Sequence, residues 1–214
     1  MTLRNYSAAD RLLMEVDRGL RSVFGRPPQT GRPHPAEDVP EAELDDRERA
    51  LSASLMRVNH CGEVCAQALY QGQALTARDA AVRATMQEAA DEENDHLAWC
   101  RQRLEELDSH TSRLDPLFYL GALSIGTLAG LAGDRWSLGF LAETEHQVTA
   151  HLNRHLEQLP AKDTVSRAIV SQMRDDEARH AHTAELNGAA DLPLPVKALM
   201  KLSSKVMTAT THRI

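Results

Sequence analysis

The sequence predicts an all-α fold, and three features predict it. Apolar residues recur every three or four positions through most of the chain, the period of one helix face. No stretch of any length alternates apolar and polar residues as a half-buried strand does. Four glutamates and two histidines, Glu63, Glu93, His96, Glu145, Glu177 and His180, fall on those apolar stripes, where burial demands a partner for each.

Residues 8–24 carry Ala9, Leu12, Leu13, Val16, Leu20 and Phe24 at helical spacing, an amphipathic helix. Residues 1–24 hold Arg4, Asp10, Arg11, Glu15, Asp17 and Arg18, so they contain no uncharged signal core. Residues 25–40 contain Pro27, Pro28, Pro33, Pro35 and Pro40; the missing N–H groups exclude continuous helix, and an exposed linker is expected. Residues 46–77 form the next helix, with a stripe of Leu55, Asn59, Gly62 or Glu63, Ala66, Tyr70 and Gln73. Residues 79–108 follow, with Val82, Met86, Ala89, Glu93, His96, Cys100, Leu104 and Leu107 at steps of three or four. Residues 116–133, PLFYLGALSIGTLAGLAG, carry no charge and read as a hydrophobic connecting helix. Residues 135–159 place Leu138, Leu141, Glu145, Val148, Leu152, His155 and Leu159 on one face, and residues 163–187 do so with Ile169, Met173, Glu177, His180, Ala184 and Asn187. Pro193 and Pro195 introduce a final amphipathic segment that runs to residue 208.

The 214 residues suffice for one well-buried domain, and 42% hydrophobic with 26% charged residues is ordinary for a globular chain. A formal net charge of −7 argues against general nucleic-acid binding. Cys61 and Cys65 lack zinc-finger spacing, and Cys100 adds no second pair. An odd count without a secretory signal points to reduced thiols in a cytoplasm-facing protein, serving as small buried core residues.

Glu93-Asn94-Asp95-His96 and Glu177-Ala178-Arg179-His180 are two copies of Glu-x-x-His, an i, i+3 pair that projects from one helix face. A lone stripe glutamate precedes each copy: Glu63 lies 30 residues before Glu93, and Glu145 lies 32 before Glu177. This weak internal duplication is the ligand pattern of a di-metal carboxylate centre in a ferritin-like four-helix bundle. The stripes choose among neighbouring acids. Glu145 fills the gap between Leu141 and Val148, whereas Glu143 falls off that face. Glu92 lies about 100° round the helix from Glu93, and Asp176 sits beside the seam that Glu177 occupies. Four carboxylates offset two divalent cations, and carboxylates with one imidazole per metal suit iron or manganese. Each histidine needs an acceptor on its other ring nitrogen; Asp176 and Glu92 are the candidates. His60, His146, His151, His155 and His182 read for the most part as surface or outer groups, with a proton relay as the lesser reading for His151 or His155. A solvated polar face with chance Glu-x-x-His matches is the alternative, and two matches on apolar stripes weigh against it.

Arg57-Val58-Asn59-His60-Cys61-Gly62-Glu63 resembles the Arg-Val-Asn-His-x-Gly-Glu signature of the demethoxyubiquinone hydroxylases. Glu92-Glu93-Asn94-Asp95-His96-Leu97 and Arg174-Asp175-Asp176-Glu177-Ala178-Arg179-His180 are similar to that family's two Glu-x-x-His segments, at matching spacing. The resemblance covers residues 45–214, the expected ferritin-like hydroxylase domain, and leaves 1–44 as an N-terminal helix and linker of the kind bacterial members carry. It implies a di-iron monooxygenase of ubiquinone biosynthesis that hydroxylates the ring of 2-polyprenyl-3-methyl-6-methoxy-1,4-benzoquinol with O2. Carried over position by position, it implies two iron ions on Glu63, Glu93, His96, Glu145, Glu177 and His180. Animal members have a tyrosine near Leu152, so no tyrosyl role transfers to that position. NADH is the candidate reductant, acting through the quinone, since no Gly-x-Gly-x-x-Gly motif is present. Other ubiquinone-biosynthesis proteins are candidate partners.

A polyprenyl quinol lives in the bilayer, so the resemblance implies a peripheral protein at the cytoplasmic face of the cell membrane. Residues 116–133 sit at the lower length limit of a spanning helix, but a single span would split the bundle across the membrane. A buried connector and an interfacial segment that admits the quinone tail are the other readings, and the resemblance favours the last. Lys197, Lys201 and Lys205, flanked by Val196, Leu199, Met200 and Val206, fit a basic helix on anionic lipid or a docked helix with a solvated face. Two rival functions remain: a tRNA-modifying hydroxylase, disfavoured by charge and signature, and a ferroxidase or iron-storage protein, whose cage the linker and uncharged segment fit poorly.

Overall fold

A computed structural model describes residues 7–26 and 28–212. Arg4 and Pro27 therefore lie outside the described residues, as do the side chains of Arg11 and Leu12. Seven helices are present: α1 (Ala8–Phe24), α2 (Asp46–Thr76), α3 (Ala80–Glu106), α4 (Asp115–Leu131), α5 (Asp134–Gln158), α6 (Thr164–Leu186) and α7 (Leu194–Thr211). Among the described residues there is no strand. The fold is all-α and ferritin-like, with helix limits close to those the periodicity predicts.

Local chemistry sets the helix starts. Ser7 and Asp45 each form a capping box with the acid three residues on, Asp10 and Glu48. Asp79 and Asp163 cap α3 and α6 through backbone N–H groups. Proline opens the first turn of α4 and of α7. Between α4 and α5 the chain reverses at Gly133, whose φ of 114° strains any residue with a Cβ. Asn187, read above as a stripe position, instead caps α6 and is exposed.

Helices α2, α3, α5 and α6 make the bundle, with α2 against α3 and α5 against α6. Two apolar clusters fill it. One gathers Leu55, Met56, Trp99, Leu104, Leu152, Ile169 and Met173; the other gathers Tyr70, Met86, Ala89, Leu138, Leu141 and Ala184. On each of the four helices the stripe acids lie between residues of the two clusters, which places a polar layer between two apolar ones.

The uncharged segment becomes α4, which lies along the outside of α2. Its glycines permit this: a Cβ on Gly126 would run into the Leu69 backbone, and one on Gly72 into the α4 backbone at Leu123 and Thr127. Tyr119, Ala122, Gly126 and Gly130 face inward, while Leu117, Leu120, Leu128 and Leu131 face out. No helix of the described residues is long and apolar enough to cross a membrane, which overturns the spanning reading. The outward leucines likewise overturn the fully buried reading. In α7, Lys197 is bound by Glu143 at 3.2 Å and Asp191 at 2.7 Å, whereas Lys201 and Lys205 are exposed with Leu199, Leu202 and Val206. Helix α1 also turns Leu13, Val16, Leu20 and Phe24 outward.

The segment after α1 corrects the expectation of an exposed linker. Ala36 and Leu44 join the core cluster, Thr164 donates to the Pro40 carbonyl at 2.9 Å, and Glu41 meets buried Arg103 at 2.6 Å. Proline forbids helix here but not packing, and its preset φ lowers the entropy lost when an extended chain is laid against a wall.

Candidate metal centre

The structure brings all six sequence-selected side chains together, and all are buried. They form two clusters: Glu63, Glu93, His96 and Glu177, and Glu93, Glu145, Glu177 and His180, with the ligand atoms of each cluster within 4.8 Å of one another. Glu93 and Glu177 belong to both, the arrangement two bridging carboxylates require. Nδ1 of each histidine faces the centre. His96 Nδ1 is 3.1 Å from Glu93 and 3.2 Å from Glu177; His180 Nδ1 is 3.2 Å from Glu177 and 3.7 Å from Glu145.

The outer nitrogens are held as the sequence reading expected. His96 Nε2 lies 3.0 Å from Asp176 Oδ2, and His180 Nε2 lies 3.2 Å from Glu92 Oε2. Glu143 points away to Gln147 and Lys197.

The electrostatics describe a site that wants cations. Burial, then the Glu177 charge, push the Glu93 and Glu145 carboxyls well above the usual range. Burial works against a charged His180, yet bonds to Glu145, Glu177 and Glu92 raise it to about 12. Burial likewise opposes a charged His96, but the Glu93 charge, then bonds to Asp176, Glu177 and Glu63, raise it well above the usual range. Burial also opposes ionised Glu177, but bonds from His180 and His96 hold it below the carboxylate range. Hydrogen bonding to His180 holds Glu92 down to about 2. Glu93 Oε1 and Glu145 Oε2 have no hydrogen-bond partner although buried, and Glu177 Oε1 has only the 3.2 Å contact with His96 Nδ1. Orphaned carboxylate oxygens are costly, and a divalent cation answers all three. Each cluster can hold a metal ion, and its carboxylate and imidazole donors fit iron or manganese. Binding would displace the protons now shared among these groups.

A cavity of about 610 Å³ lies between α2, α4, α5 and α7. Glu63 lines its deep end, and Leu117, Leu199 and Leu202, outward-facing on α4 and α7, line its mouth. Phe118, Phe140 and Leu152 make the walls apolar; Asn59, Thr144, Gln147 and His151 supply polar groups. Cys65 borders this cavity and is only partly buried, whereas Cys61 and Cys100 are buried as expected.

Some participants were not assigned from sequence. The Tyr70 hydroxyl donates to Glu145 Oε1; its stripe position was the available signal. Arg32 binds Asp176 at 2.7 Å and Glu92 at 3.2 Å, and Arg179 also bridges these two acids. His60 corrects the surface-or-outer reading. It is fully buried, 3.3 Å from Asp115 at the start of α4 and 3.5 Å from Arg101, and ties three helices together. His146 and His182 are exposed. The rings of His151 and His155 lie with centroids 3.9 Å apart and planes inclined by 55°, and burial pushes them down to about 4 and about 3.

A family model described as ubiquinone biosynthesis protein COQ7 matches residues 50–211. The chain belongs to this family. A 3-demethoxyubiquinol 3-hydroxylase of Laribacter hongkongensis is 60% identical over 205 residues, which cover 96% of this chain and 99% of that protein. One of Nitrosococcus oceani is 56% identical over 211 residues, 99% of both chains, a match that takes in the proline-rich segment. One of Chromobacterium violaceum is 57% identical over 205 residues, 96% of this chain and 99% of that protein.

Proposed function

We propose that this protein is a di-iron 3-demethoxyubiquinol 3-hydroxylase. One observation carries the reading: two metal-competent clusters share Glu93 and Glu177, and one of them opens through Glu63 onto an apolar cavity. The names of its relatives supply the substrate class. A ferroxidase has no use for such a cavity.

Glu63 and His96 would hold one iron, Glu145 and His180 the other, and Glu93 and Glu177 both. When bound, the irons supply the activation of O2 that ring hydroxylation needs. One oxygen atom enters the ring, the other leaves as water, and NADH provides the electrons. The chain's own residues do the rest. The apolar walls bury the quinol ring and exclude bulk water. Asn59, Thr144, Gln147 and His151 are the groups that can hydrogen-bond the ring oxygens and fix its orientation. Tyr70 fixes one oxygen of Glu145. The polyprenyl tail leaves through the mouth between α4 and α7, whose outward apolar side chains, with those of α1, dock at the cytoplasmic face of the membrane.

Quinone extraction from a deletion strain tests the assignment. Accumulated demethoxyubiquinol, relieved by the wild-type chain and not by Glu93→Ala, supports it. Normal ubiquinone in the deletion strain overturns it.

A further inference from the structure

The proline-rich segment reaches the metal centre. Arg32 Nη2 donates to Asp176 Oδ2 at 2.7 Å, and Nη1 donates to Glu92 Oε2 at 3.2 Å. These are the same two oxygen atoms that face His96 Nε2 and His180 Nε2. One planar guanidinium thus joins both outer carboxylates and, through them, both imidazoles. Arg179 bridges the same two carboxylates and shares Glu92 Oε2, but it takes the other oxygen of Asp176, Oδ1, so only Arg32 reaches both of the oxygens that face the imidazoles.

The segment is built to hold that guanidinium still. The Arg32 Cζ sits 5.3 Å from the centroid of the Trp99 ring, a cation–π distance. Two residues before it, the Thr30 N–H donates to buried Asp95 at 2.8 Å. Four residues after it, Ala36 is buried in the core cluster. An isolated surface ion pair contributes little. This one ends on a carboxylate that is 4% exposed and orients an imidazole.

We propose that Arg32 is a positioning residue of the metal centre, fixing the rings of His96 and His180 through Asp176 and Glu92. The proposal rests on the metal-centre reading above. A fork with donors on two nitrogens is required, because the two acceptors come from different helices; a lysine ammonium is a point charge and serves one of them well.

Cobalt(II) titration of the metal-free protein tests it, because cobalt absorption reports both affinity and coordination geometry. The wild type is expected to bind two cobalt ions, one per cluster. Arg32→Met is expected to lose about tenfold or more in affinity and to change the absorption band shape, with the melting midpoint of the metal-free protein unchanged. Arg32→Lys, which keeps the charge without the fork, should fall between the two and keeps the test decisive if Arg32→Met is less stable. Wild-type affinity and band shape in both variants overturn the role of Arg32, as does a loss that only follows a lowered melting midpoint. A wild-type protein that takes up no cobalt overturns the metal-centre reading itself.

Discussion

Asp176 orients the histidine of the opposite Glu-x-x-His segment: its Oδ2 lies 3.0 Å from His96 Nε2, across the α3–α6 interface. Glu92 returns the contact to His180 at 3.2 Å. Each segment therefore supplies a shared carboxylate, a histidine and the acceptor for the other segment's histidine. Asp176→Asn is expected to weaken divalent-metal binding by about 10–100-fold, read by metal titration. Glu92→Gln should cost less, because the Glu92 side chain is 26% exposed against 4% for Asp176 and water can stand in. Wild-type affinity in Asp176→Asn would contradict this exchange.

Two glycines of α4 should respond in opposite directions. Gly126→Ala drives a methyl into the Leu69 backbone, which cannot yield without separating α2 and α4. A loss of about 1–3 kcal/mol is expected in urea unfolding. Gly121 has open space around a new Cβ, so Gly121→Ala is expected to stabilise by about 0.5–1 kcal/mol. Equal effects would contradict the close approach.

The adjacent pair His151 and His155 should make the fold acid-sensitive. Their folded values lie near 4 and 3, below the ordinary 6.5. The unfolded chain therefore binds more protons across that window, and stability falls as pH drops from about 6.5 toward 4, by up to about 1.4 kcal/mol per unit for each histidine. His151→Asn/His155→Asn should flatten this part of the stability–pH curve. An unchanged slope would contradict the buried, neutral pair.

The outward face of α4 should carry membrane binding. Leu120 and Leu128 are 62% and 67% exposed, so Leu120→Asp/Leu128→Asp leaves the core intact. Flotation with anionic liposomes should drop several-fold relative to wild type. Undiminished flotation would exonerate α4.

Much of the fold and the site was legible in the sequence, because helix period and burial act on the same residues. Glu93 on its stripe and Glu92 beside it became an inward carboxylate and an outer acceptor, a distinction one residue step encodes. Arg32 was not legible. Its partners lie 60 and 144 positions away, and a lone arginine among prolines carries no periodic signal. His60 was misread because a helix carrying a buried His–Asp contact needs its partner, Asp115, from another helix. The half-docked state of α4 depended on glycines whose role appears only when two backbones meet.

The most direct test of the central claim is the fate of oxygen in a single turnover. Purified protein loaded with iron and supplied with NADH, demethoxyubiquinol and isotopically labelled O2 is predicted to yield the hydroxylated quinol with one labelled oxygen on the ring, and Glu93→Ala none. Unlabelled product, or no product from protein carrying its full iron, would contradict the account.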